Sequence, residues 1–228
     1  MSHAVYITGT DTGIGKSLTA ATLLAALNAQ DVRAVGMKPV ASGCESTRDG
    51  LRNADAELLL AHSAGAPVYA DINPYAFADP IAPHLAAADA GIEIDLARIG
   101  EAYARLSAKA DATVVEGVGG WMAPLGADLM QDDLVRALHL PVILVVGLRL
   151  GCLNHALLSA RAIRADGADL IGWIGSGVDA QMARREDNLA TLHERLGAPC
   201  LGVLPHAEVP DPRTLAAHLG AACRRLLG

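Results

Sequence analysis

The stretch "TGTDTGIGKS", residues 8–17, decides the fold class because it has the features of a loop that binds phosphate. It lies between an apolar run, "HAVYITG" (3–9), and an Ala/Leu-rich run that begins at Lys16. A glycine-rich turn between a strand and a helix points its backbone N–H groups, and the helix N-terminus, at an anion. The sequence therefore predicts a nucleotide phosphate site made of Thr12, Gly13, Ile14, Gly15, Lys16, Ser17 and Leu18.

The spacing of this loop departs from the common phosphate-loop pattern. In G-x-x-x-x-G-K-[ST] the first glycine stands five residues before the second, but here that position is Thr10, and Gly9 is one residue further away. The departure leaves open whether the loop is a chance match or a variant of the class. As a variant, it would place Lys16 at the outer phosphates and the Ser17 hydroxyl on Mg²⁺.

Composition limits the classes of protein that the chain can belong to. Its 228 residues are 52% hydrophobic and 19% charged, enough to bury a large core in one α/β domain over residues 1–228. The formal charge of −7 lacks the basic footprint of a nucleic-acid-binding protein. The four cysteines are scattered without metal-site spacing, so we expect reduced thiols.

Targeting and membrane signals are absent from the sequence pattern. The N-terminus runs into the first predicted strand without a basic and apolar leader pattern. The longest apolar run, "LPVILVVGL", is far shorter than the roughly 20 residues that cross a bilayer. We therefore expect a cytoplasmic protein with no membrane partner.

Apolar, β-branched runs alternate with helical patterns along the chain. Continuously apolar runs indicate strands buried on both faces of a parallel sheet, and the alternation predicts a doubly wound α/β fold. We interpret residues 70–91, with three prolines, as a long connection. The six predicted strands are "HAVYITG", "VRAVGMKPV", "ATVVEGVGG", "PVILVVGL", "LIGWIGSGV" and "PCLGVLP".

In such a fold, ligands bind beyond the carboxyl ends of the strands, where three charged residues are predicted to lie. Lys38 ends the second predicted strand and could stabilise charge that develops on a transferred phosphoryl group. Glu116 ends another, where burial without a partner is costly. Asp55 is either an ordinary helix-start residue or a ligand. With Ser17, the two carboxylates offer the oxygen ligands that Mg²⁺ prefers.

The segment "GLRLGCLNHALL" (147–158) runs from a predicted strand through a glycine turn into a helix. The free N–H groups of such a helix start can hold a carboxylate. Cys152 and His155 are interpreted first as packing residues of the helix start, whereas Asn154 is either a cap or a ligand contact.

Taken together, these segments resemble one family, the dethiobiotin synthetases. The matching stretches are "TGTDTGIGKS", "KPVASG", "GLRNADA", "NPYAFADPIAPHLAA", "VEGVGGWMAPL", "PVILVVGLRLGCLNHALL" and "GWIGSGV", which occur in the family's order from residue 5 to about 178. The family's own loop reads G-T-D-T-x-x-G-K-[ST], so the displaced glycine is the family's form.

The resemblance implies an ATP- and Mg²⁺-dependent reaction. Carbon dioxide and 7,8-diaminononanoate form a carbamate, ATP phosphorylates it, and the second amine closes a cyclic urea. It implies that Lys16 and Lys38 neutralise the carbamate and γ-phosphate, and that Thr12 and Ser42 contact the diamine. It also implies Mg²⁺ on Ser17, Asp55 and Glu116. The backbone of Gly117, Val118 and Gly119 would border the site, and a homodimer partner's helix start at Cys152, Leu153 and Asn154 would bind the substrate carboxylate.

Two positions depart from the family's pattern. Ser176-Gly177 replaces an Asn-Asp pair that reads the adenine edge in family members, so we expect base selectivity to be relaxed. Asn188 replaces a tyrosine that in some members reaches the partner's substrate. Pro205, His206 and Ala207 resemble the family's nucleotide-edge loop.

A switch ATPase of the partition or nitrogenase-iron-protein kind is the main alternative. Such proteins carry a signature lysine five residues before the loop lysine, and that position here is Asp11. A glutamine-dependent cobyrinate synthetase would need a further domain, for which the chain is too short. A nucleotide-binding module without turnover would not need cations and a metal site on one rim.

Overall fold

The computed structural model describes residues 3–228 and contains ten strands and ten α-helices within that range. The strands are β1 (His3–Gly9), β2 (Ala34–Met37), β3 (Val40–Ala41), β4 (Glu45–Thr47), β5 (Gly50–Arg52), β6 (Tyr75–Ala76), β7 (Ala112–Glu116), β8 (Val142–Gly147), β9 (Leu170–Ser176) and β10 (Cys200–Leu204). The helices are α1 (Lys16–Asn28), α2 (Ala54–His62), α3 (Tyr69–Ile72), α4 (Pro83–Asp89), α5 (Leu96–Ser107), α6 (Gln131–Leu138), α7 (Cys152–Ala165), α8 (Arg185–Arg195), α9 (Pro212–Leu215) and α10 (Gly220–Leu227), with a 3₁₀ turn at Ala216–Leu219.

Six strands form one parallel sheet in the order β10-β9-β8-β1-β7-β2. The first strand lies in the middle, so the chain winds outward in both directions from it. This is the doubly wound α/β fold that the alternating pattern predicts. Because β1 lies between β7 and β8, the loop that follows it lies beside the ends of both neighbours.

Helices cover both faces of the sheet because side chains alternate across each buried strand. Val5 and Ile7 pack on one face with α1, α9 and α10, whereas Tyr6 packs on the other with α5, α6, α7 and α8. Both faces are therefore apolar, which explains the continuous apolar runs of β1 and β8.

The six predicted strands all form, with ends that differ by one to several residues. The run "VRAVGMKPV" divides in two: β2 ends at Met37, and Val40 starts the short β3, which pairs with β6 in a separate sheet. Pro39, which lies between them, lacks an N–H to continue the ladder. The break places Lys38 at the edge of the main sheet.

The prediction of a long connection over residues 70–91 is wrong in part, because α3, β6 and α4 interrupt it. Pro83 begins α4, where a missing N–H costs nothing. The exposed β4–β5 hairpin has no apolar alternation and is not predicted from the sequence. Between residues 3 and 228 no helix has the length and hydrophobicity to cross a bilayer, and all four cysteines are free thiols.

Gly36 provides a test of how closely the helices approach the sheet. A Cβ at this position would lie 2.8 Å from Cβ of Leu59 on α2 and 2.9 Å from Cδ1 of Leu24 on α1. We expect Gly36→Ala to lower the free energy of unfolding by about 1–3 kcal/mol through overpacking.

The matched control is Gly100→Ala in α5, where a Cβ meets no atom within 4 Å. This change should stabilise the protein by about 0.5–1 kcal/mol, because alanine loses less backbone entropy in a helix. Urea denaturation of both variants measures the difference, and equal stabilities would contradict the close approach at Gly36.

Candidate active site

The loop between β1 and α1 is held rigidly at the sheet edge. Gly13 and Gly15 adopt left-handed φ angles of 70° and 84°, which turn the backbone into the helix. Ile14 between them is buried, and its side chain fills the space left by Gly9 and Gly147, where added Cβ atoms would lie 2.8 and 2.7 Å from it. The loop therefore presents backbone N–H groups, while the Ile14 side chain anchors it to β1 and β8.

Lys16 begins α1 and lies largely buried beneath the loop. Its ammonium donates a hydrogen bond to the Asp11 carbonyl oxygen at 2.7 Å. Burial, together with the nearby charge of Lys38, lowers the pKa of Lys16 to about 8. A bound polyphosphate would stabilise the charged form, so the site is electrostatically suited to an anion.

The charged residues at the strand ends converge on one point. The Lys38 ammonium lies 2.6 Å from Oε1 of Glu116 and 2.9 Å from Oδ2 of Asp55, and it also donates to the Gly117 carbonyl at 3.2 Å. The Ser17 hydroxyl donates to the same Glu116 oxygen at 2.7 Å. Residues from four separate segments of the chain thus form one cluster beside the phosphate loop.

Asp55 enters this cluster from the first turn of α2. The Asn53 side chain caps that helix by accepting hydrogen bonds from the backbone N–H groups of Asp55 and Ala56. Asp55 is therefore a helix-start residue, as one interpretation has it, and its carboxylate also contacts Lys38, whereas its role as a Mg²⁺ ligand stays a prediction.

Burial and charge act in opposite directions on these groups. Burial alone would lower the pKa of Lys38, but the charges of Glu116 and Asp55 outweigh it and raise that pKa. Burial would raise the pKa of Asp55, yet the Lys38 charge lowers it overall. For Glu116, complete burial dominates and raises the pKa. The cluster thus retains its buried charge through one cation shared by two carboxylates.

The residues fit a hard divalent cation. Oε2 of Glu116 is buried and has no hydrogen-bond partner within the described chain. With the Ser17 hydroxyl and the Asp55 carboxylate nearby, the donor set is all oxygen, as Mg²⁺ prefers. Residues 3–228 contain no cluster of three or more His, Cys, Asp or Glu side chains arranged for a metal, so phosphate oxygens and water would complete the coordination.

A cavity of about 670 Å³ opens from this cluster. Both polar and apolar residues line it, so the cavity suits a ligand with a polar head and an aliphatic body. The polar lining residues are Thr12, Lys16, Ser17, Lys38, Ser42, Asn53, Asp55 and Glu116, together with the loop glycines Gly13 and Gly15. The other lining residues are Ala41, Pro80, Ile81, Ala82, Pro83, Val118, Gly119, Ala123 and Pro124.

Two other groups of predicted residues lie outside this cavity. Cys152, Leu153 and Asn154 begin α7, where Cys152 is buried and Asn154 is exposed. Leu150, just before them, is 97% exposed. The structure does not bring the start of α7 to the cavity.

Ser176, Gly177, Pro205 and His206 lie together beside the phosphate loop. The Gly177 N–H donates to the Leu204 carbonyl at 3.0 Å, and Nδ1 of His206 lies 3.0 Å from the Gly177 carbonyl oxygen. Ser176 Oγ faces Gly15 so closely that a Cβ there would collide with it. A Cβ at Gly177 would lie 2.6 Å from the His206 backbone nitrogen, so this position admits no side chain without backbone movement. Ala207 follows on the exposed surface.

The interpretation of Cys152 and His155 as packing residues is confirmed for the buried Cys152 and wrong for His155, which is exposed because it lies on the solvent face of α7. Leu18 is partly buried and packs against the core on the α1 face of the sheet. Asn188 on α8 donates to the Arg184 carbonyl at 2.9 Å. His155 is exposed on α7, and His84 lies on α4.

Sequence reasoning missed two polar contacts around the site. Asp11 pairs with Arg149 at 2.6 Å, which joins the phosphate loop to the turn after β8. Gln131 at the start of α6 contacts the backbone of residues 118 and 120. Each contact spans an interval that no local motif predicts, although the position of Arg149 after a strand was a usable signal.

Comparisons with known proteins identify close relatives by sequence. A family model described as an AAA domain matches residues 3–214. The chain is 59% identical over 202 residues to the ATP-dependent dethiobiotin synthetase BioD of Xanthomonas oryzae pv. oryzae (strain PXO99A), covering 89% of this chain and 90% of that protein. It is 54% identical over 217 residues to the protein of that name from Pseudomonas aeruginosa (strain LESB58), covering 95% of each.

Solved structures similar to the chain share its fold at low sequence identity. The MinC:MinD cell division protein complex of Aquifex aeolicus matches with a TM-score of 0.62 and 15% identity, covering 100% of this chain and 96% of that chain. A ParA family ATPase from Chlorobium tepidum TLS matches with a TM-score of 0.58 and 14% identity, covering 97% and 92%. At such identities the similarity shows the fold alone.

The contact of Lys38 with two carboxylates leads to a prediction about stability. Lys38→Met leaves the Glu116 carboxylate buried with the Ser17 hydroxyl but without its counter-ion. We expect a loss of about 3–5 kcal/mol in the free energy of unfolding, because a buried charge without its partner is strongly destabilising. Urea denaturation without nucleotide or metal measures it.

Arg33→Met is the control, because it breaks an ion pair with Asp111 that lies on the surface. Its effect should be much smaller, since water replaces the lost partner. Adding Glu116→Gln to Lys38→Met should recover part of the loss. Equal effects of Lys38→Met and Arg33→Met would contradict the structural role of the buried pair.

Proposed function

The chain belongs to the ATP-dependent dethiobiotin synthetase family, whose members are ligases of biotin synthesis, and on that premise we propose that it makes dethiobiotin from 7,8-diaminononanoate, carbon dioxide and ATP. The observation that carries the proposal is the cluster of Lys38, Asp55 and Glu116 beside the phosphate loop. Positioned cations and oxygen ligands are what phosphoryl transfer requires.

The cavity supports this choice of substrate. Thr12 and Ser42 line the cavity, where their hydroxyl groups can donate hydrogen bonds to an amine-derived carbamate. Pro80, Ile81 and Val118 also line it, and their apolar side chains suit the aliphatic chain of a diaminononanoate. The cavity therefore accommodates both a carbamate that reacts next to the phosphates and an aliphatic chain that packs against apolar side chains.

The reaction follows in three steps. One amine adds to carbon dioxide and loses a proton, which gives a carbamate whose negative charge faces Lys38. A carbamate oxygen attacks the γ-phosphorus of ATP, ADP leaves, and Lys16 and Lys38 stabilise the charge on the transferred group. The second amine attacks the carbonyl carbon of the anhydride, phosphate leaves, a proton is lost and the ureido ring closes.

Ser17, Asp55 and Glu116 are the residues that would hold Mg²⁺, which when bound neutralises charge on the phosphates. Glu116 can serve because its second oxygen has no partner in the part of the chain that the structure describes. The Lys38 ammonium contacts the same two carboxylates, so it shares them with the metal.

A homodimer would complete the site at the substrate carboxylate. The start of α7 lies outside the cavity of its own subunit, and the neighbouring Leu150 is almost fully exposed. At the N-terminus of α7, formed by Cys152, Leu153 and Asn154, the Cys152 N–H already donates to the Arg149 carbonyl, so the N–H groups of Leu153 and Asn154 would bind a carboxylate from the other subunit.

The switch-ATPase alternative has less support. Its signature lysine would stand at Asp11, but here that side chain pairs with Arg149 of the same chain. The similarity to MinD and ParA proteins concerns the fold, whereas the relatives with 54–59% identity are named as synthetases.

The first test is ADP release by purified protein supplied with ATP, Mg²⁺ and bicarbonate, with and without 7,8-diaminononanoate. We expect release to depend on the diamine, and the product to be heavier by one carbonyl group and lighter by two hydrogens. Hydrolysis that ignores the diamine, with no such product, would favour the switch ATPase instead.

Nucleotide selectivity is a separate prediction. Ser176 is small and nearly buried, and Gly177 has no side chain, so this segment offers few side-chain groups to read a base edge. We expect kcat/KM for ATP, CTP and GTP to agree within about tenfold, since a single hydrogen bond to the base contributes only about 1 kcal/mol net. A preference for ATP of several thousandfold would show that other groups select the base.

A further inference from the structure

Gln131 is the first residue of α6, and its side-chain amide is buried beneath the segment 117–120. Its Oε1 accepts hydrogen bonds from the Tyr6 hydroxyl at 2.6 Å and the Val118 N–H at 3.0 Å. Its Nε2 donates to the Val118 carbonyl at 2.8 Å and to the Gly120 carbonyl. Two donors and two acceptors are thus all paired, which is the full capacity of an amide.

This pairing determines which way the amide points. Reversing oxygen and nitrogen would set an NH₂ group against the Val118 N–H, and an oxygen against two carbonyl oxygens. Tyr6 lies on β1 and is fully buried, so its hydroxyl provides a rigid donor to Oε1. The central strand therefore fixes the amide, and the amide fixes the segment above it.

The segment 117–120 borders the reacting groups. The Gly117 carbonyl accepts from the Lys38 ammonium, while Val118 and Gly119 line the cavity. Gly117 also packs directly on Gln131 and Tyr6, because a Cβ there would collide with Oε1 of Gln131 and the Tyr6 hydroxyl. A shift of the segment would move both an acceptor of Lys38 and the cavity wall.

We propose that Gln131 is a positioning residue for the reaction, with Tyr6 as its support: the amide holds the backbone of 117–120 where it orients Lys38 and shapes the diamine side of the cavity. The proposal rests on the proposed function for the identity of the diamine. None of the four hydrogen bonds of Gln131 goes to the phosphate loop, so we expect loss of the amide to affect diamine binding more than nucleotide binding.

Three variants test separately the hydrogen-bond donors and acceptors of Gln131 and the Tyr6 hydroxyl that supports it. Gln131→Met keeps the length but removes all four hydrogen bonds. Gln131→Glu keeps the acceptor for Tyr6 and Val118 but loses both donors and places negative charge against two carbonyls. Tyr6→Phe removes the support alone. Gln30→Met, on the exposed end of α1, is the matched control for the same chemical change.

We expect Gln131→Met to raise KM for the diamine about tenfold and lower kcat, while KM for ATP stays within about twofold of its original value. Tyr6→Phe should have a smaller effect, and the double variant should be no worse than Gln131→Met, because Tyr6 acts through the amide. Equal rises in both KM values, or a loss of thermal stability with unchanged kinetics, would overturn the proposal.

Hydrogen exchange measured without substrate separates this proposal from the assigned reaction. Peptides that contain Val118 should exchange about tenfold faster in Gln131→Met, whereas Gln131→Glu should retain protection at Val118 because its acceptor remains. Unchanged exchange in Gln131→Met would overturn the positioning role. If the original protein shows no diamine-dependent turnover but the exchange changes as expected, the amide still positions the segment and only the assigned substrate is wrong.

Discussion

The burial of one carboxylate, Glu116, is the constraint on which the site depends. Placing that charge at the end of a central strand is costly unless a cation lies beside it, and Lys38 lies 2.6 Å away. Lys38 is therefore placed at the end of the neighbouring strand β2. A second carboxylate, Asp55 of α2, also contacts its ammonium. The same buried charge pair that the folded core requires thus brings together the groups that we propose for binding phosphate and metal, so stability and the proposed chemistry depend on one contact.

The topology makes that arrangement possible. β2 and β7 are adjacent and parallel, so residues that directly follow or end them lie at one edge although 78 residues separate them in sequence. β1, on the other side of β7, delivers the phosphate loop to the same edge. The ends of β1, β2 and β7 therefore bring the phosphate loop, Lys38 and Glu116 to one edge of the sheet.

Much of this could be predicted from the sequence, since strand ends in a parallel sheet meet at one edge. The apolar runs located β1, β2 and β7, and therefore the neighbourhood of Lys16, Lys38 and Glu116. The β4–β5 hairpin was not predicted because it is exposed and short and its residues do not alternate between apolar and polar. The role of Gln131 was not predicted because three of its four hydrogen bonds are to backbone atoms of residues 118 and 120, from which residues 121–130 separate it. A side chain that bonds to backbone leaves no residue-type signature at the other end.

The close approach at Gly177 has a consequence for how this protein can change over evolutionary time. Any side chain there meets the main chain after β10, at the His206 nitrogen, so the space is closed by backbone and not by a flexible neighbour. A lineage could gain a charged group at this position only after the segment at 205–206 had first moved outward. The order of substitutions is then constrained: the loop after β10 must vary before residue 177 can, and single-step mutational scans would find this glycine intolerant even where a neighbouring homologue carries a larger residue.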